Sequence, residues 1–525
     1  MTIAPPQAAT ATRNARHHGR PLRGLMSTPS SQLFQGRFGR MFRSLPSARY
    51  GETEQQSRDA LMALGTQMTS AFDAPKDGAD AEESGIPALY TYFGQFMDHD
   101  ITFDPVSTLI RHKDPDALTD FRTPALDLDN IYGRGPDDQP YLYDNGPKFL
   151  LGDPLNNGVP DLPRNNADPR RALIGDPRND ENSIVSQLQS LFLRFHNRLV
   201  DENRALHFGE IQRLVRFHYQ WVILNDFLPR IIHPSVLESF KTDGQYDRTK
   251  IRFFHWRHDP FMPVEFSVAA YRLGHTMIRP GYRLNDETLL PIFPIPAGTI
   301  PEIPDGLTEG LTGFRAMNPA WGIDWGRLID VDTRSYGTDN ADEPATKNRL
   351  QFAYRIDTSL VTPLSVLPPS VVSDAPPSLP QRNLLRGLEL GLPNGQTVAR
   401  AMGLKPLDDA NIMIGKAVDD PEQGDERGPI DEIDGLAPFK GNCPLWTYIL
   451  AEASQYRENV PIPVTEDRSV TTPKLGPVGG RIVAEVFLGL VFGDNNSLLN
   501  LDPEWTPTVA PNFQLRDLVN FALGA

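Results

Sequence analysis

The sequence predicts a mainly α-helical protein with long irregular loops and little β-structure. Apolar residues recur at three- and four-residue steps in several segments, which is typical of helices with one buried face. The alternating pattern of a half-buried strand is scarce. Proline accounts for 49 of the 525 residues, so we expect many irregular connections between short helices. No repeat of roughly 20–50 residues is visible, which argues against solenoids and propellers.

Apolar spacing places the predicted helices along the chain. The clearest helix runs from Ile184 to Leu199 and follows two polar residues, Asn179 and Asp180, that are suited to cap its start. Further helical segments are predicted over residues 211–225, 268–277, 399–402 with its neighbours, and 480–492. Segments rich in Pro, Asp, Asn and Gly separate these helices, for example 136–170, 358–380 and 404–440.

Two parts of unequal size are expected: a disordered basic arm over residues 1–30 and a single large domain over residues 31–525. Residues 1–50 contain eight arginines and neither Asp nor Glu, and residues 1–30 are poor in large apolar residues. The segment Pro363–Pro380 has the composition of a linker, but residues that share the candidate chemistry lie on both sides of it. We therefore do not divide the domain there.

Charge and cysteine content exclude several classes of protein. The net charge of −16 argues against a nucleic-acid-binding protein. Cys443 is the single cysteine, so neither an intrachain disulfide nor a cysteine-based zinc site is expected. Met1–Arg23 lacks the apolar stretch of a secretory signal, and the longest apolar run, Val486–Phe492, is too short to span a membrane. We expect a soluble protein, located in the cytoplasm or exported by an unconventional route.

The segment around His99 is the first candidate for catalytic chemistry. On a helix, Gln95 and His99 are four residues apart and project from the same face, and Asp98 and Asp100 flank the histidine. A histidine among amide and carboxylate groups suits proton transfer near neutral pH. From spacing alone, a structural histidine remains the alternative.

Three further segments place polar or charged residues one helical turn apart. Taken alone, the first has an acidic helix start as its structural alternative, and the second a core histidine. Together with His99 they supply what a bound haem requires, namely an axial ligand, a distal base and cations for the propionates. The pairs are Arg178 with Glu181, Arg272 with His275, and Asn383 with Arg386.

Five segments, in order along the chain, carry a resemblance to a known family. They read GQFMDHD (94–100), GDPRNDE (175–181), LFLRFHNRL (191–199), YRLGHTMI (271–278) and NLLRGLELGLP (383–393). The chain thereby resembles the animal-type haem peroxidases of the peroxidase–cyclooxygenase superfamily over about residues 33–495. Without a recognisable signal peptide or disulfides, it is more similar to bacterial members than to secreted animal ones.

The resemblance implies haem b as the cofactor and gives roles to five residues around it. His99 is then the distal base, Arg178 the distal arginine, and Gln95 the residue that hydrogen-bonds distal water. His275 is the proximal iron ligand, and Asn383 accepts a hydrogen bond from the other ring nitrogen of His275.

Further residues follow from the same resemblance. Arg272 and Arg386 resemble the arginines that bind the haem propionates, and Asp98 and Glu181 match the carboxylates that form ester bonds to haem methyl groups. Asn182 stands where one branch of the family has a methionine that forms a sulfonium bond to a haem vinyl group, and an amide cannot form that bond. Iodide, thiocyanate and bromide are therefore the expected donors rather than chloride.

A calcium site is also implied. The segment TPALDLDNIYG (123–133) resembles the calcium loop of the family, and Asp100 directly follows the distal histidine. Oxygen ligands at alternate positions suit a hard cation. Without the resemblance, the same segment is an ordinary polar loop. The expected ligands are Asp100, Thr123, Ala125, Asp127 and Asp129.

The implied function is that of a haem peroxidase, an oxidoreductase that reduces hydrogen peroxide and oxidises halide, thiocyanate or small aromatic donors in the response to oxidative stress. One alternative is a fatty-acid dioxygenase of the same superfamily, which carries a radical-forming tyrosine three residues before the proximal histidine. Arg272 occupies that position, and Tyr271 would face about 100° away on a helix. A second alternative is an adhesion protein that has lost turnover, although His99, Arg178 and Gln95 are all retained. Partner proteins are not implied.

Overall fold

The computed structural model describes residues 36–70, 74–102, 119–120, 122–144, 146–298, 303–338, 340, 343–372, 374–419, 428–510 and 512–524. The predicted basic arm over residues 1–30 lies outside the described residues.

Helices dominate the described structure, as predicted. Five of the described helices comprise 13 or more residues, and the others are shorter, in keeping with the proline content. The helices are α1 Glu54–Gln67, α2 Leu89–Ile101, α3 Asp129–Tyr132, α4 Ser183–Glu202, α5 Phe208–Val222, α6 Leu228–Ile231, α7 Pro234–Leu237, α8 Val264–Ser267, α9 Pro344–Lys347, α10 Leu379–Glu389, α11 Gly395–Ala401, α12 Leu445–Ala453, α13 Pro477–Gly493, α14 Leu498–Leu501 and α15 Leu515–Leu523.

The strands are short and form only small sheets. In the described part of the chain, one sheet has three strands in the order β3-β1-β6, and the remaining strands pair as β2-β9, β4-β5, β7-β8, β10-β11 and β12-β13. Apart from the parallel β1-β6 contact, these pairs are antiparallel. The strands are β1 Gly36–Gly39, β2 Glu83–Pro87, β3 Thr119–Asp120, β4 Lys241–Thr242, β5 Gln245–Tyr246, β6 Met262–Pro263, β7 Gly281–Arg283, β8 Leu289–Pro291, β9 Phe352–Tyr354, β10 Met413–Ile414, β11 Gly428–Pro429, β12 Arg457–Pro461 and β13 Ser469–Pro473.

Helix α4 packs against α2 in the core. The rings of Phe96 and Phe192 stack with centroids 4.6 Å apart. The cap of α4 is Asn182, whose side chain accepts a hydrogen bond from the backbone N–H of Ile184 at 2.8 Å. The predicted caps, Asn179 and Asp180, lie instead in a separate 3-10 turn, Pro177–Asp180. That turn brings the polar residues before α4 next to the end of α2.

Two predicted helices differ in detail from those observed. The segment predicted as 211–225 forms α5 and then a π-helical turn, Ile223–Phe227. The segment predicted as 268–277 is a 3-10 helix, Ala270–His275, which contains the poor helix former Gly274. Successive side chains therefore turn by about 120° there rather than 100°.

Asp226, in the π-helical turn, links three parts of the fold. It accepts a hydrogen bond from the hydroxyl of Tyr90 at 2.5 Å, from Nε of Arg230 at 2.7 Å and from the backbone N–H of Leu515 at 2.9 Å. The start of α2 is thus fixed to α6 and to the start of α15.

The large apolar core includes residues from Phe38 to Ala522. None of the helices among the described residues combines the length and the apolar character needed to cross a bilayer.

Candidate active site

A cavity of about 920 Å³, including its mouth, lies between α2 and the 3-10 helix Ala270–His275. It gathers residues that are far apart in the sequence but were expected to act together. Of the expected site residues, the cavity is lined by Gln95, Asp98, His99, Glu181, Arg272 and His275. Arg178, Asn383 and Arg386 are not among its lining residues.

The ring of His99 is buried and oriented by an asparagine. Nδ1 of His99 lies 2.7 Å from Oδ1 of Asn179, and Asn179 in turn donates from Nδ2 to Oε1 of Gln189 at 2.8 Å. Because this second bond holds the Asn179 carbonyl toward His99, the ring proton sits on Nδ1 and Nε2 is the basic nitrogen. Sequence analysis missed the role of Asn179, since its only local signal is that of a helix cap.

Glu181 and Gln95 meet at the free nitrogen of His99. Oε1 of Glu181 lies 3.4 Å from Nε2 of His99 and accepts a hydrogen bond from Nε2 of Gln95 at 2.5 Å. Burial raises the pKa of the Glu181 carboxyl, but the hydrogen bond and charge of His99 once its Nε2 is protonated, together with the charge of Arg178, outweigh burial and lower it. A basic nitrogen next to an ionised carboxylate suits proton transfer inside the cavity.

Arg178 is close to His99 but does not point into the cavity. Its Nη2 donates to the carbonyl oxygens of His99 and Thr102 at 2.9 and 2.6 Å and to Asp176 at 2.7 Å. The buried Asp176 also pairs with Arg122 at 2.7 Å. Asp176, which sequence analysis missed, therefore directs the guanidinium toward the backbone at the end of α2. Arg178 in this structure stabilises the backbone at His99 from outside the cavity.

His275 is partly buried on the other element that lines the cavity. Its Nδ1 lies 2.9 Å from Nδ2 of Asn383, whose Oδ1 accepts a hydrogen bond from Nη1 of Arg272 at 2.7 Å. Burial and the charge of Arg272 lower the pKa of His275 to about 3, so the ring is neutral. In this structure the amide nitrogen of Asn383 faces the ring in place of the oxygen expected to accept from His275, because a guanidinium can only donate and Arg272 takes that oxygen.

Tyr271 differs from its expected position. Although successive side chains turn by about 120° on the 3-10 helix, it lines the cavity together with Arg272, since every residue from Tyr271 to His275 borders that space. Its hydroxyl donates to the carbonyl oxygen of Gly94 at 3.1 Å, and its ring stacks on Phe266. Arg386 is buried; burial of Arg272 and, to a lesser extent, the charge of Arg386 lower the pKa of Arg272, although Asp98 opposes them. Asp98 lines the cavity and accepts a hydrogen bond from Thr102 Oγ1 at 3.1 Å.

Three carboxylates converge behind His99. Oxygen atoms of Asp100, Asp127 and Asp129 lie within 4.8 Å of one another. Tyr219 donates to Oδ2 of Asp100 at 3.0 Å, whereas Oδ1 of Asp100 is buried with no hydrogen-bond partner in the described structure. Such an orphaned oxygen is what a bound cation would satisfy.

The pKa values of these carboxyls reflect the same crowding. Burial and the neighbouring charge of Asp127 and Asp129 raise the pKa of Asp100 well above its usual range. Burial raises the pKa of Asp129 to about 6, although Arg122 opposes the rise. Thr123 and Ala125, the other expected ligands, are buried in the segment leading to this cluster, and the Thr123 carbonyl accepts from the Ala125 N–H at 2.8 Å.

Comparison with known proteins matches part of the chain to characterised relatives. Residues 110–292 match the family model for animal haem peroxidase. Human thyroid peroxidase is 28% identical over 291 residues, which are 53% of this chain and 27% of that protein. Drosophila melanogaster dual oxidase is 30% identical over 142 residues, 25% of this chain and 8% of that protein. The chain thus spans under a third of each of these relatives.

Solved structures extend the likeness to nearly the whole chain. Peroxidase A from Dictyostelium discoideum has a TM-score of 0.53 and 17% identity, with coverage of 94% of this chain and 96% of that chain. Fatty acid alpha-dioxygenase from Arabidopsis thaliana has a TM-score of 0.52 and 13% identity, with coverage of 95% and 82%. At these identities the likeness is one of fold.

Proposed function

We propose that the chain is a haem-dependent peroxidase of the peroxidase–cyclooxygenase superfamily, because residues 110–292 match the family model for animal haem peroxidase and 53% of the chain is similar to thyroid peroxidase. The reaction reduces hydrogen peroxide and oxidises halide, thiocyanate or small aromatic donors. One observation carries the proposal: two histidines, the buried His99 and the partly buried His275, line the same cavity, and an asparagine contacts the Nδ1 atom of each. This pairing supplies a base and a metal ligand to one enclosed space.

The residues present fit a haem. His275 is neutral, and with Nδ1 facing Asn383 its Nε2 is the nitrogen available to iron. An imidazole that binds iron through Nε2 carries its proton on Nδ1 and needs an acceptor there. Arg272 would exchange Asn383 for a haem propionate, which frees the Asn383 carbonyl to turn toward His275. Arg386 would add a second cation near the propionates.

The haem would supply the peroxide-binding iron and the redox chemistry. The chain contributes proton transfer: Nε2 of His99 accepts a proton from hydrogen peroxide and returns it to the oxygen that leaves as water. Asn179 keeps the ring in the tautomer that this step requires. Gln95 and Glu181 border the same nitrogen and hold its polar surroundings. Arg178 positions the end of α2 through the carbonyls of His99 and Thr102.

Two further features belong to the proposal. Asp98 and Glu181 are the carboxylates that would form ester bonds to haem, and both line the cavity. Asp100, Asp127 and Asp129 would hold calcium, which would satisfy the buried Oδ1 of Asp100. Asn182 caps α4, and because its amide cannot form a sulfonium bond to haem, iodide, thiocyanate and bromide are the proposed donors rather than chloride.

Haem titration of the purified chain tests this proposal. We expect a Soret band with one haem per chain and peroxide-dependent oxidation of iodide or guaiacol. His275→Ala should lose the Soret band, whereas the control variant His258→Ala, at an exposed histidine, should keep it. Failure of the wild-type chain to bind haem contradicts the proposal. Haem binding without peroxide-dependent turnover would instead support an adhesion protein that retains the fold.

The position of Tyr271 favours one alternative, a fatty-acid dioxygenase. Its hydroxyl lies against Gly94 at the cavity, and the ring is enclosed by Phe266 and Phe487, which would shelter a tyrosyl radical. Oxygen uptake with a polyunsaturated fatty acid in the absence of peroxide distinguishes the two reactions. Uptake that Tyr271→Phe abolishes would establish the dioxygenase and displace the peroxidase.

A further inference from the structure

A second cleft, separate from the cavity of His99 and His275, is lined by several cations. It has a volume of about 1570 Å³, including its mouth, and we call it the arginine cleft. Its two main walls are the chain segments 40–45 and 252–257. The basic residues along these walls are Arg40, Arg43, Arg252, His255 and Arg257.

Two buried carboxylates fix the walls of the arginine cleft. Glu265 accepts hydrogen bonds from the backbone N–H groups of Met41 and Phe42 at 3.0 and 3.1 Å. Glu485 accepts from the backbone N–H groups of residues 252, 253 and 254 at 3.1, 2.7 and 2.9 Å. Both glutamates are fully buried. The backbone that displays the arginines is therefore held in place before any ligand arrives, which lowers the entropic cost of binding.

Three of the guanidinium groups have unused hydrogen-bonding capacity. Arg40 donates to the carbonyls of Leu390 and Gly391, whereas within the described residues no carboxylate or carbonyl accepts from the side chains of Arg43, Arg252 or Arg257, all of which are exposed. The chain as a whole has 67 acidic and 51 basic residues. Like charges gathered around one concavity repel each other, and a bound anion relieves that repulsion.

Aromatic rings lie beside these cations. Phe42 and Phe253 have ring centroids 5.5 Å apart, and Trp256 is partly exposed in the same cleft. The guanidinium carbon of Arg43 is 5.8 Å from the ring centroid of Phe261. A guanidinium recognises phosphate or carboxylate through paired N–H groups, and an aromatic face accommodates a flat ring. The concave shape suits a small molecule better than a flat membrane surface.

We propose that the arginine cleft binds a small organic polyanion that carries a planar ring, with the chemistry of a nucleoside diphosphate. Its phosphates would lie between Arg43, Arg252 and Arg257, and its ring would stack on the exposed part of Trp256 or Phe253. This binding does not depend on haem or on peroxide turnover. It adds a ligand site to the molecule outside the proposed catalytic cavity.

Isothermal titration of the full chain with ADP and with pyrophosphate tests the proposal. We expect one ADP site, weakened at least tenfold in the double variant Arg252→Gln/Arg257→Gln, and pyrophosphate binding at least tenfold weaker than ADP. The matched control is Arg213→Gln, which removes the same charge from an exposed position on α5 and should bind ADP as the wild type does. Unchanged thermal midpoints would show that the variants remain folded.

Several outcomes would overturn the proposal. Absence of ADP binding to the wild type, or equal affinity in the double variant, removes the site. Equal affinity for pyrophosphate and ADP would show that the aromatic rings of the cleft do not contribute to binding. Binding of vesicles containing phosphatidylglycerol that ADP does not displace, and that the double variant loses, would assign the cleft to an anionic membrane surface instead.

Discussion

The side-chain carbonyl of Asn179 lies 2.7 Å from Nδ1 of His99, although the two residues are 80 positions apart in the sequence. This contact fixes the tautomer of the base on which the proposed proton transfer depends. Asn179→Ala should therefore slow the reaction of the haem-loaded chain with peroxide at least tenfold, measured by stopped-flow absorbance, while haem stays bound.

Asn182 provides the matched control for this prediction, because it is an amide three residues further on that caps α4 and does not line the cavity. Asn182→Ala should cost about 1 kcal/mol of stability through the lost cap and leave the peroxide rate within threefold of wild type. Equal rates in the two variants would show that Asn179 does not orient the base.

Asp176 joins two arginines in the interior, and its loss should be costly. Asp176→Asn would leave Arg122 and Arg178 without their shared carboxylate, so we expect the free energy of unfolding to fall by about 3–5 kcal/mol in urea denaturation. Asp153→Asn, which breaks the exposed pair with Arg170, should change it by less than about 0.5 kcal/mol. A small effect of Asp176→Asn would mean that the arginines find other partners.

Removal of calcium should affect both stability and the peroxide reaction. Asp100 is a ligand of the proposed metal and adjoins His99 on α2. Loss of the metal should therefore disturb both the stability of the fold and the position of His99. We expect a chelator to lower the melting temperature, and Asp127→Asn to weaken calcium binding at least tenfold in metal analysis after dialysis. Asp138→Asn, at an exposed ion pair, is the control. Fully active protein without bound calcium would contradict the prediction.

The proposed ester bonds predict haem that resists denaturation. After peroxide treatment, haem should remain with the polypeptide on a denaturing gel, and Asp98→Asn combined with Glu181→Gln should release it. Each single variant should retain haem through the other carboxylate. Free haem alone in mass spectra of the treated wild type would exclude both bonds.

The burial of His196 predicts that the protein loses stability at acidic pH. Its ring is buried between Tyr132 and the carbonyl of Pro147, and burial lowers its pKa to about 4 despite the hydrogen bond to that carbonyl. The unfolded chain, with an ordinary histidine pKa near 6.5, binds the proton more readily. The contribution of the neutral His196 ring to the free energy of unfolding is thus present above pH 6.5. It is lost as the pH falls toward 4, by up to about 3 kcal/mol.

Urea unfolding at a series of pH values measures this effect. The decline of stability between pH 6.5 and pH 4 should be shallower in His196→Gln than in wild type. His258→Gln, at an exposed position, should retain the wild-type slope. Parallel slopes for all three proteins would contradict the prediction.

Local spacing predicted those parts of the site that lie within one element. Gln95 and His99 both line the cavity because one helix places them on one face. The orientations of Arg178 and the Asn383 amide were not predictable in this way. The Arg178 guanidinium is held by Asp176, two positions away, and by the distant carbonyls of His99 and Thr102. The Asn383 amide is turned by the distant Arg272.

The same distinction applies to the backbone. Apolar periodicity predicted α4 and α13, which are long and buried along much of their length. It did not distinguish the 3-10 helix Ala270–His275 from an α-helix, because the segment is too short for the two periods to diverge. Tyr271 reaches the cavity for another reason, since every residue from Tyr271 to His275 borders that space.

The hydrogen bond from the backbone N–H of Leu515 to the Asp226 carboxylate has a consequence for biosynthesis. The two residues are 289 positions apart, and the bond fixes the carboxylate that also holds Tyr90 at the start of α2. At roughly 5–20 residues per second, a ribosome adds Leu515 on the order of 15 seconds to a minute after Asp226. The nascent chain therefore makes helix α2, which carries His99, long before the segment that helps to secure the start of that helix.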